Sequence, residues 1–502
     1  MRYDFIITTY EVIVILKYDD TNPLSIKEYG EKLIGKTFLD VLNVPDIEKN
    51  LKQDIITKTN NPNYKGGMGH LIEKFHFEYE INNDQEPDFP KAGVELKVTP
   101  YEIGKKGGYK AGERLVITMI SYQDAVEENF YESHAFKKLR LTLFVHYLRD
   151  RSLSRMEYSI DFVTLFTPPE EDLKIIQQDY EKIINKVKEG KAHELSEGAT
   201  MYLGACTKGS TAAKSLMPQL YYAPELKAQK RAFCFKQSYM THILNEYVLK
   251  NVNTYESILS NTKELETQTL ENLIIDKINK HKGKIDKQLC EEFDVPYTPE
   301  DSKGMWSSLS YRMLGVKSNR AEEFIKANIE VKTIRLDENS KNKESISFPS
   351  INLRKFVNEE SEESDFYKDL SSKRYLFVVF KKHGEQFQLK GCQLWNISNE
   401  DLEVANQGLK VIQKIIQQGV KLTKKTQKNG FVIENNFPKK RDNDVIHIRP
   451  HTSKRYYVLE DGEVIGENPI YGDELPDGRV MTKQCFWLNN TYILSQLNND
   501  LK

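Results

Sequence analysis

The sequence has no surplus of charge of either sign: 72 lysines and arginines stand against 74 aspartates and glutamates, for a formal net charge of −2. No overall basic field announces a polyanionic partner, so any nucleic-acid surface has to be a local patch. Cysteine is scarce. The five (Cys206, Cys234, Cys290, Cys392 and Cys485) are scattered, odd in number and never spaced C-x-x-C. That argues against a disulfide framework and a zinc cluster, and it fits a reducing cytoplasm. Long apolar runs are missing too. The run Phe5 to Leu16 is interrupted by Thr8, Thr9 and Glu11. It is too short to span a bilayer and lacks a signal-peptide cleavage pattern, so it reads as a strand or core segment.

What is present is ordinary for a globular protein, 39% hydrophobic and 29% charged over 502 residues. That length predicts two domains rather than one core. The polar, charged and weakly helical stretch 251–287 is the joint, leaving domains at 1–250 and 288–502. The two halves repeat each other. "KGGMGHLIEKFHF" from Lys65 and "DFPKAGVELKVTP" from Asp88 correspond to "KGMWSSLSYRMLG" from Lys303 and "EFIKANIEVKTIR" from Glu323. The register agrees at a carboxylate and a lysine, Glu95 with Glu330 and Lys97 with Lys332, both 235 residues apart. Four further matches follow in order, starting at Asn129 and Asp365, Glu171 and Glu400, Met201 and Val445, and Arg231 and Lys483. Six matches in one order indicate a tandem duplication.

Each half carries apolar strands and amphipathic helices in mixed order, which predicts α/β domains of about two hundred residues. Met68, Leu71, Ile72 and Phe75 give Gly67 to Tyr79 one apolar helical face. Ala92 to Thr99 alternates Val94, Leu96 and Val98 against Glu95, Lys97 and Thr99, the period of a half-buried strand. Arg114 to Ser121 and Leu139 to His146 are further strand candidates. The period of two puts Glu95 and Lys97 on one face, roughly 7 Å apart. Asp88 follows Pro87 in the turn ahead of that strand and can reach the same point. Converging carboxylates repel unless a cation sits between them, and hard oxygen ligands favour Mg²⁺ or Mn²⁺. A lysine alongside can orient water and neutralise charge on a phosphate, which suits phosphodiester hydrolysis. The bare spacing also occurs by chance on a solvated strand face, so the flanking blocks carry the weight.

Those blocks, "KGGMGHLIE", "DFPKAGVELKVTP" and "SHAFKKLRL" (Ser133 to Leu141), resemble the catalytic blocks of the MutH family. That family comprises a mismatch-repair nicking endonuclease and related type II restriction endonucleases that cut GATC. The resemblance spans both halves and implies two tandem restriction-endonuclease-like domains of the PD-(D/E)xK class with mixed central sheets. It implies that Asp88, Glu95 and Glu73 hold the metal, that Lys97 is the catalytic lysine, that Lys138 lies near the scissile phosphate, and that Lys65, opening the helix block, binds DNA. It also implies double-stranded DNA as substrate, cleavage 5′ of the G, and a cognate DNA methyltransferase as functional counterpart. Whether two chains pair on the duplex stays open.

In the second half the corresponding set is Tyr311, Glu323, Glu330, Lys332 and Arg374. Losing one carboxylate and lengthening another weakens divalent-metal binding, so this half is expected to bind DNA without cutting. "IHIRPHTSKRYY" (Ile446 to Tyr457) resembles the family's base-reading segment, which makes Arg449 a candidate for bidentate bonding to guanine. From Lys421 to Arg455, Lys454 included, ten basic residues face three acidic ones, enough for counterion release from DNA. In the first half Cys206 stands at the arginine position, and only Lys208 keeps a cationic donor nearby.

Two other readings compete with restriction: a repair nickase, and a DNA-binding protein with decayed sites. "GEKLIGKT" (Gly30 to Thr37) matches the phosphate-loop pattern, but a helical periodicity through Ile26, Tyr29, Leu33 and Ile34 replaces the apolar strand that such a loop needs.

Overall fold

The computed structural model describes residues 16–43, 47–61, 64, 66–79, 85–104, 107–122, 129–209, 215–220, 225–251, 255–300, 304–428 and 430–502. Lys65 and nearly all of the run Phe5 to Leu16 lie outside them. The chain divides into two compact units. One comprises Met1–Met119, Glu127–Leu173 and Ala232–Asn253; the other comprises Ile120–Val126, Lys174–Arg231 and Thr254–Lys502. The unit boundary therefore cuts across the sequence repeat, assigning Lys174–Arg231 of the first half to the second unit.

In the first unit, Asn22 caps helix α1 (Pro23–Glu31), its side chain accepting from Leu24 N–H. Gly30 lies in this helix with Val163 3.2 Å from where a Cβ would sit. The first glycine of the phosphate-loop pattern is thus a helix-packing residue. Helix α2 (Gly67–Phe75) buries Met68, Leu71 and Ile72 as their spacing predicts, and stops four residues short of Tyr79. The central sheet has β1 (Glu95–Ile103) antiparallel to β2 (Tyr109–Ala111) and parallel to a later strand. Between them come β3 (Leu115–Met119) and helix α3 (His134–Leu139). Ser133 caps α3: its hydroxyl accepts from Phe136 N–H at 3.1 Å and donates to Phe130 C=O at 2.6 Å. Then come β4 (Thr142–Leu148), which pairs Glu95 with Thr142 and Lys97 with Phe144, and β5 (Ile160–Phe166), antiparallel to β4. The core gathers Leu71, Ile72, Phe77, Val94, Leu143 and Val145, among others. Helix α4 (Glu170–Lys188) follows, most of it assigned with β6 (Leu203–Thr207) to the second unit; the chain then returns to the first with β7 (Arg231–Phe235), which pairs with β3, and α5 (Gln237–Ile243).

The second unit repeats this order. The joint contributes helices Glu264–Thr267 and Leu270–Asn279, and the second buries Leu270, Leu273, Ile274 and Ile278. Helices α6 (Gly304–Met313) and α7 (Glu322–Ala327) lead into β8 (Ile329–Leu336), and β9 (Ile346–Ser350) follows. Helix α8 (Asp365–Ser372) is capped by Ser364 as α3 is by Ser133, accepting from Tyr367 N–H and donating to Ser361 C=O. Strand β10 (Arg374–His383) runs parallel to β8 and antiparallel to β11 (Gln386–Trp395), and it pairs Glu330 with Tyr375. After α9 (Asn399–Gln418) comes a ribbon of β12 (Leu422–Gln427) and β13 (Gly430–Asn435). Strands β14 (Ile446–Pro450) and β15 (Gln484–Leu488) pair with each other, β15 also pairs with β9, and α10 (Asn490–Gln496) closes the unit. The fold is mixed α/β with a parallel-then-antiparallel sheet in each half, as the sequence predicts.

Candidate active site

Three features of the loop between Asp88 and Glu95 bring its ends together. Pro90 has no N–H to donate and disfavours a helical Phe89, so the segment cannot begin a helix. Phe89 and Val94 bond to each other across the loop, at 2.9 and 3.2 Å. Gly93 adopts φ +68°, and a Cβ there would stand 2.1 Å from the Arg140 guanidinium. The loop folds Asp88 back over the start of β1. Leu96 N–H donates to Asp88 Oδ2 at 2.8 Å, and Asp88 N–H donates to Glu95 Oε2 at 3.3 Å.

Glu95 is only 1% exposed, so this end of β1 is covered on both faces and not half-buried as its alternation suggests. Lys97 donates directly to Glu95 Oε1. Lys138, in the last turn of α3, stands 3.4 Å from Glu95 Oε2. Glu73, on α2, is coupled electrostatically to Glu95 and Lys97. The structure thus brings Glu73, Asp88, Glu95, Lys97 and Lys138 into one interacting group.

Its electrostatics are set by burial and by carboxylates and ammonium groups packed side by side. Burial and the Glu95 carboxylate push Asp88 up to about 7, against the pull of Lys97. Burial also raises Glu73 against the pull of Lys97, and Glu95 adds to that rise. Burial acts to lower the Lys97 ammonium, yet Glu95 and Asp88 outweigh it and hold it above its usual value. Among the described residues no three Asp, Glu, His or Cys side chains form a ready-made cation cage. The donor set nevertheless fits a hard divalent ion: all three acids offer oxygen ligands, and burial holds two of them, Asp88 and Glu73, above their usual range.

Sequence reasoning passed over Tyr79. Its hydroxyl is buried with no hydrogen-bond partner among the described residues. Burial, Asp88, Glu73 and Glu95 all push its phenol far above the usual range. The only sequence signal was its place just beyond the helix block.

The second half differs where the loop differs. Ile325 and Asn328 replace Pro90 and Gly93, and without the proline Glu322–Ala327 winds into α7, which Asn328 ends at φ +56°. Glu323 then points into that unit's own backbone. It accepts from Ile258 N–H, Leu259 N–H and the Ser257 hydroxyl at 2.7–3.0 Å. Arg374 is not the counterpart of Lys138 in space: it pairs with Glu271 at 2.6 Å, and Lys373 reaches Glu330 instead.

The residues expected at a DNA surface belong to the second unit, Lys65 apart. Lys208 is half-buried just after β6. Arg449 is exposed on β14, its guanidinium 4.0 Å over the Trp487 ring, while Trp487 Nε1–H donates to Arg449 C=O at 3.1 Å. Lys454 lies 5.5 Å over Tyr471, and Arg455 lies 4.3 Å over Phe431. No carboxylate pairs with these three cations among the described residues. Nor, among those residues, is any helix long and apolar enough to cross a membrane.

The sequence also matches known proteins. Residues 77–179 match the family model described as the DNA mismatch repair enzyme MutH. The chain is 34% identical to the type II restriction enzyme Sau3AI of Staphylococcus aureus over 87% of its own length and 93% of that protein's. It is 22% identical to the DNA mismatch repair protein MutH of Vibrio campbellii, covering 47% of this chain and 98% of MutH. A single MutH thus spans about half the chain, whereas the restriction enzyme spans both halves. The protein belongs to the family of MutH-like type II restriction endonucleases.

Proposed function

We propose that this endonuclease hydrolyses double-stranded DNA at GATC, cutting 5′ of the G with Mg²⁺ in its first half, while its second half binds a further copy of the site and stimulates cleavage. The observation carrying the proposal is the convergence of Asp88, Glu95 and Lys97 at the head of β1. Asp88, Glu95 and Glu73 would hold Mg²⁺, with Mn²⁺ as a substitute. When bound, the ion supplies Lewis acidity at the scissile phosphate. Lys97 would orient the attacking water and offset the charge that builds on the phosphate. Lys138 adds a second cation beside the same oxygens. Bond cleavage leaves a 3′-hydroxyl and a 5′-phosphate.

Arg449 is the candidate base reader, and Lys208, Lys454, Arg455 and Lys65 are candidates for backbone contacts. GATC and the cut position are those the family resemblance implies. A cognate methyltransferase would protect host DNA, and the cytoplasm is the expected compartment. The restriction reading is favoured over a repair nickase because similarity to Sau3AI runs through both halves.

The test is a plasmid digest with purified protein and Mg²⁺, followed by sequencing of the ends from methylated and unmethylated DNA. Both strands should be cut without a repair partner, giving 5′ ends that open with GATC. Lys97→Ala should lower cleavage by roughly a hundredfold or more and leave gel-shift affinity largely intact. Equal loss of binding would count against a catalytic role.

A further inference from the structure

The second half keeps the strand pair of the first, Glu330 and Lys332 on β8, but closes it differently. Lys332 bonds to Glu330 Oε1. Lys373, the residue after α8, places its ammonium 2.9 Å from Glu330 Oε2 and 2.8 Å from Asp369 Oδ2. Aligning the two serine caps, Ser133 with Ser364, puts Asp369 at the position of Lys138. The charge at that place is reversed, and the cation is supplied four residues later from a helix two residues longer.

The totals differ as well. Glu73, Asp88 and Glu95 against Lys97 and Lys138 leave one negative charge uncompensated in the first cluster. In the second, Glu330 and Asp369 meet Lys332 and Lys373 and balance. Tyr311, near Glu330, brings no charge, and Glu323 is engaged elsewhere. The protonation tendencies agree. Burial acts to raise Glu330, but Lys332 and Lys373 outweigh it and hold this carboxyl below its usual range. Asp88 has the opposite displacement.

We propose that the Lys373 ammonium is an internal substitute for the divalent ion, bridging Glu330 and Asp369 so that the second half's vestigial site is complete without metal. The inference rests on the first-half cluster being a metal site. Charge-assisted bonds to two carboxylates hold the ammonium in place. An incoming divalent ion would have to displace it and approach Lys332 as well, against like-charge repulsion. The second half would then engage DNA with no demand on divalent ions, leaving all metal dependence to the first.

The test is Mn²⁺ binding by the full chain, read by electron paramagnetic resonance without DNA or turnover. The unaltered chain should take up Mn²⁺, and Glu95→Gln should reduce uptake at least tenfold. In that Glu95→Gln background, Lys373→Met should restore Mn²⁺ binding by freeing two carboxylates, and Lys373→Arg should not. A folded Lys373→Met chain that takes up no Mn²⁺ overturns the proposal. So does Mn²⁺ that persists in Glu95→Gln and disappears when Glu330→Gln is added, a comparison that needs no change at Lys373. No uptake by the unaltered chain would refute the metal reading of the first half, on which this inference rests, whereas uptake by the unaltered chain with none regained on Lys373→Met in the Glu95→Gln background refutes this inference alone.

Discussion

At Asp88, the carboxyl proposed to hold the metal, protonation and stability are linked. Its pKa of about 7 in the folded protein lies above the value near 4 expected in the unfolded chain. The native state therefore binds this proton more tightly, and stability falls as pH rises from about 4 to 7, with no further loss above that. Thermal melts in EDTA should show this slope for the unaltered chain, while Asp88→Asn should lack it. Divalent affinity should climb across the same interval, because the proton has to leave before the ion binds. Parallel melting curves for the two proteins would contradict the assignment.

At the scale of elements, the loop from Asp88 to Glu95 positions the site. Gly93→Ala puts a methyl group where the Arg140 guanidinium lies, at a backbone conformation unfavourable to alanine. Cleavage should drop by about tenfold or more, as expected when reacting groups are displaced by an ångström, and gel-shift affinity should hold. The Arg449–Trp487 pair on β14 and β15 is the corresponding element proposed for recognition. Trp487→Leu removes the ring beneath the guanidinium, an interaction of about 0.5–1 kcal/mol when exposed. The ratio of cognate to random-sequence affinity should fall about two- to fivefold, with random-sequence binding unchanged. An unaltered ratio would remove Trp487 from recognition. Sequence periodicity revealed β1 and α2 because their faces differ in polarity. It did not reveal the covering of Glu95 on both sides, since a strand's second neighbour leaves no mark on its own alternation. Nor did it foresee α7: the aligned letters of the repeat hide that exchanging Pro90 for Ile325 turns a loop into a helix. The shift from Arg374 to Lys373 has a similar cause, two extra residues of helix that an alignment absorbs without trace.

For the whole molecule, the duplication was legible because matched blocks keep their order, and both sheets share one pairing pattern. The compact units were not, because the chain passes from one to the other inside α4, where no composition change marks the boundary. If the second half is an effector, plasmids with two sites should be cut several-fold faster than plasmids with one, and an added site-bearing oligonucleotide should rescue the slower substrate. Identical rates without rescue would remove the effector role.

The tie between Glu323 and residues 257–259 has a consequence for descent. Restoring an acid at position 311 and shortening the one at 323 would still leave that side chain facing its own backbone. Regaining nuclease chemistry would require α7 to unwind, Asn328 and Ile325 to change together, and three donors, two of them buried backbone N–H groups, to find new acceptors. Each single step loses stability before any activity returns. If the second copy no longer cuts, as proposed, its decay is a ratchet, set by backbone geometry more than by the identity of the replaced acids.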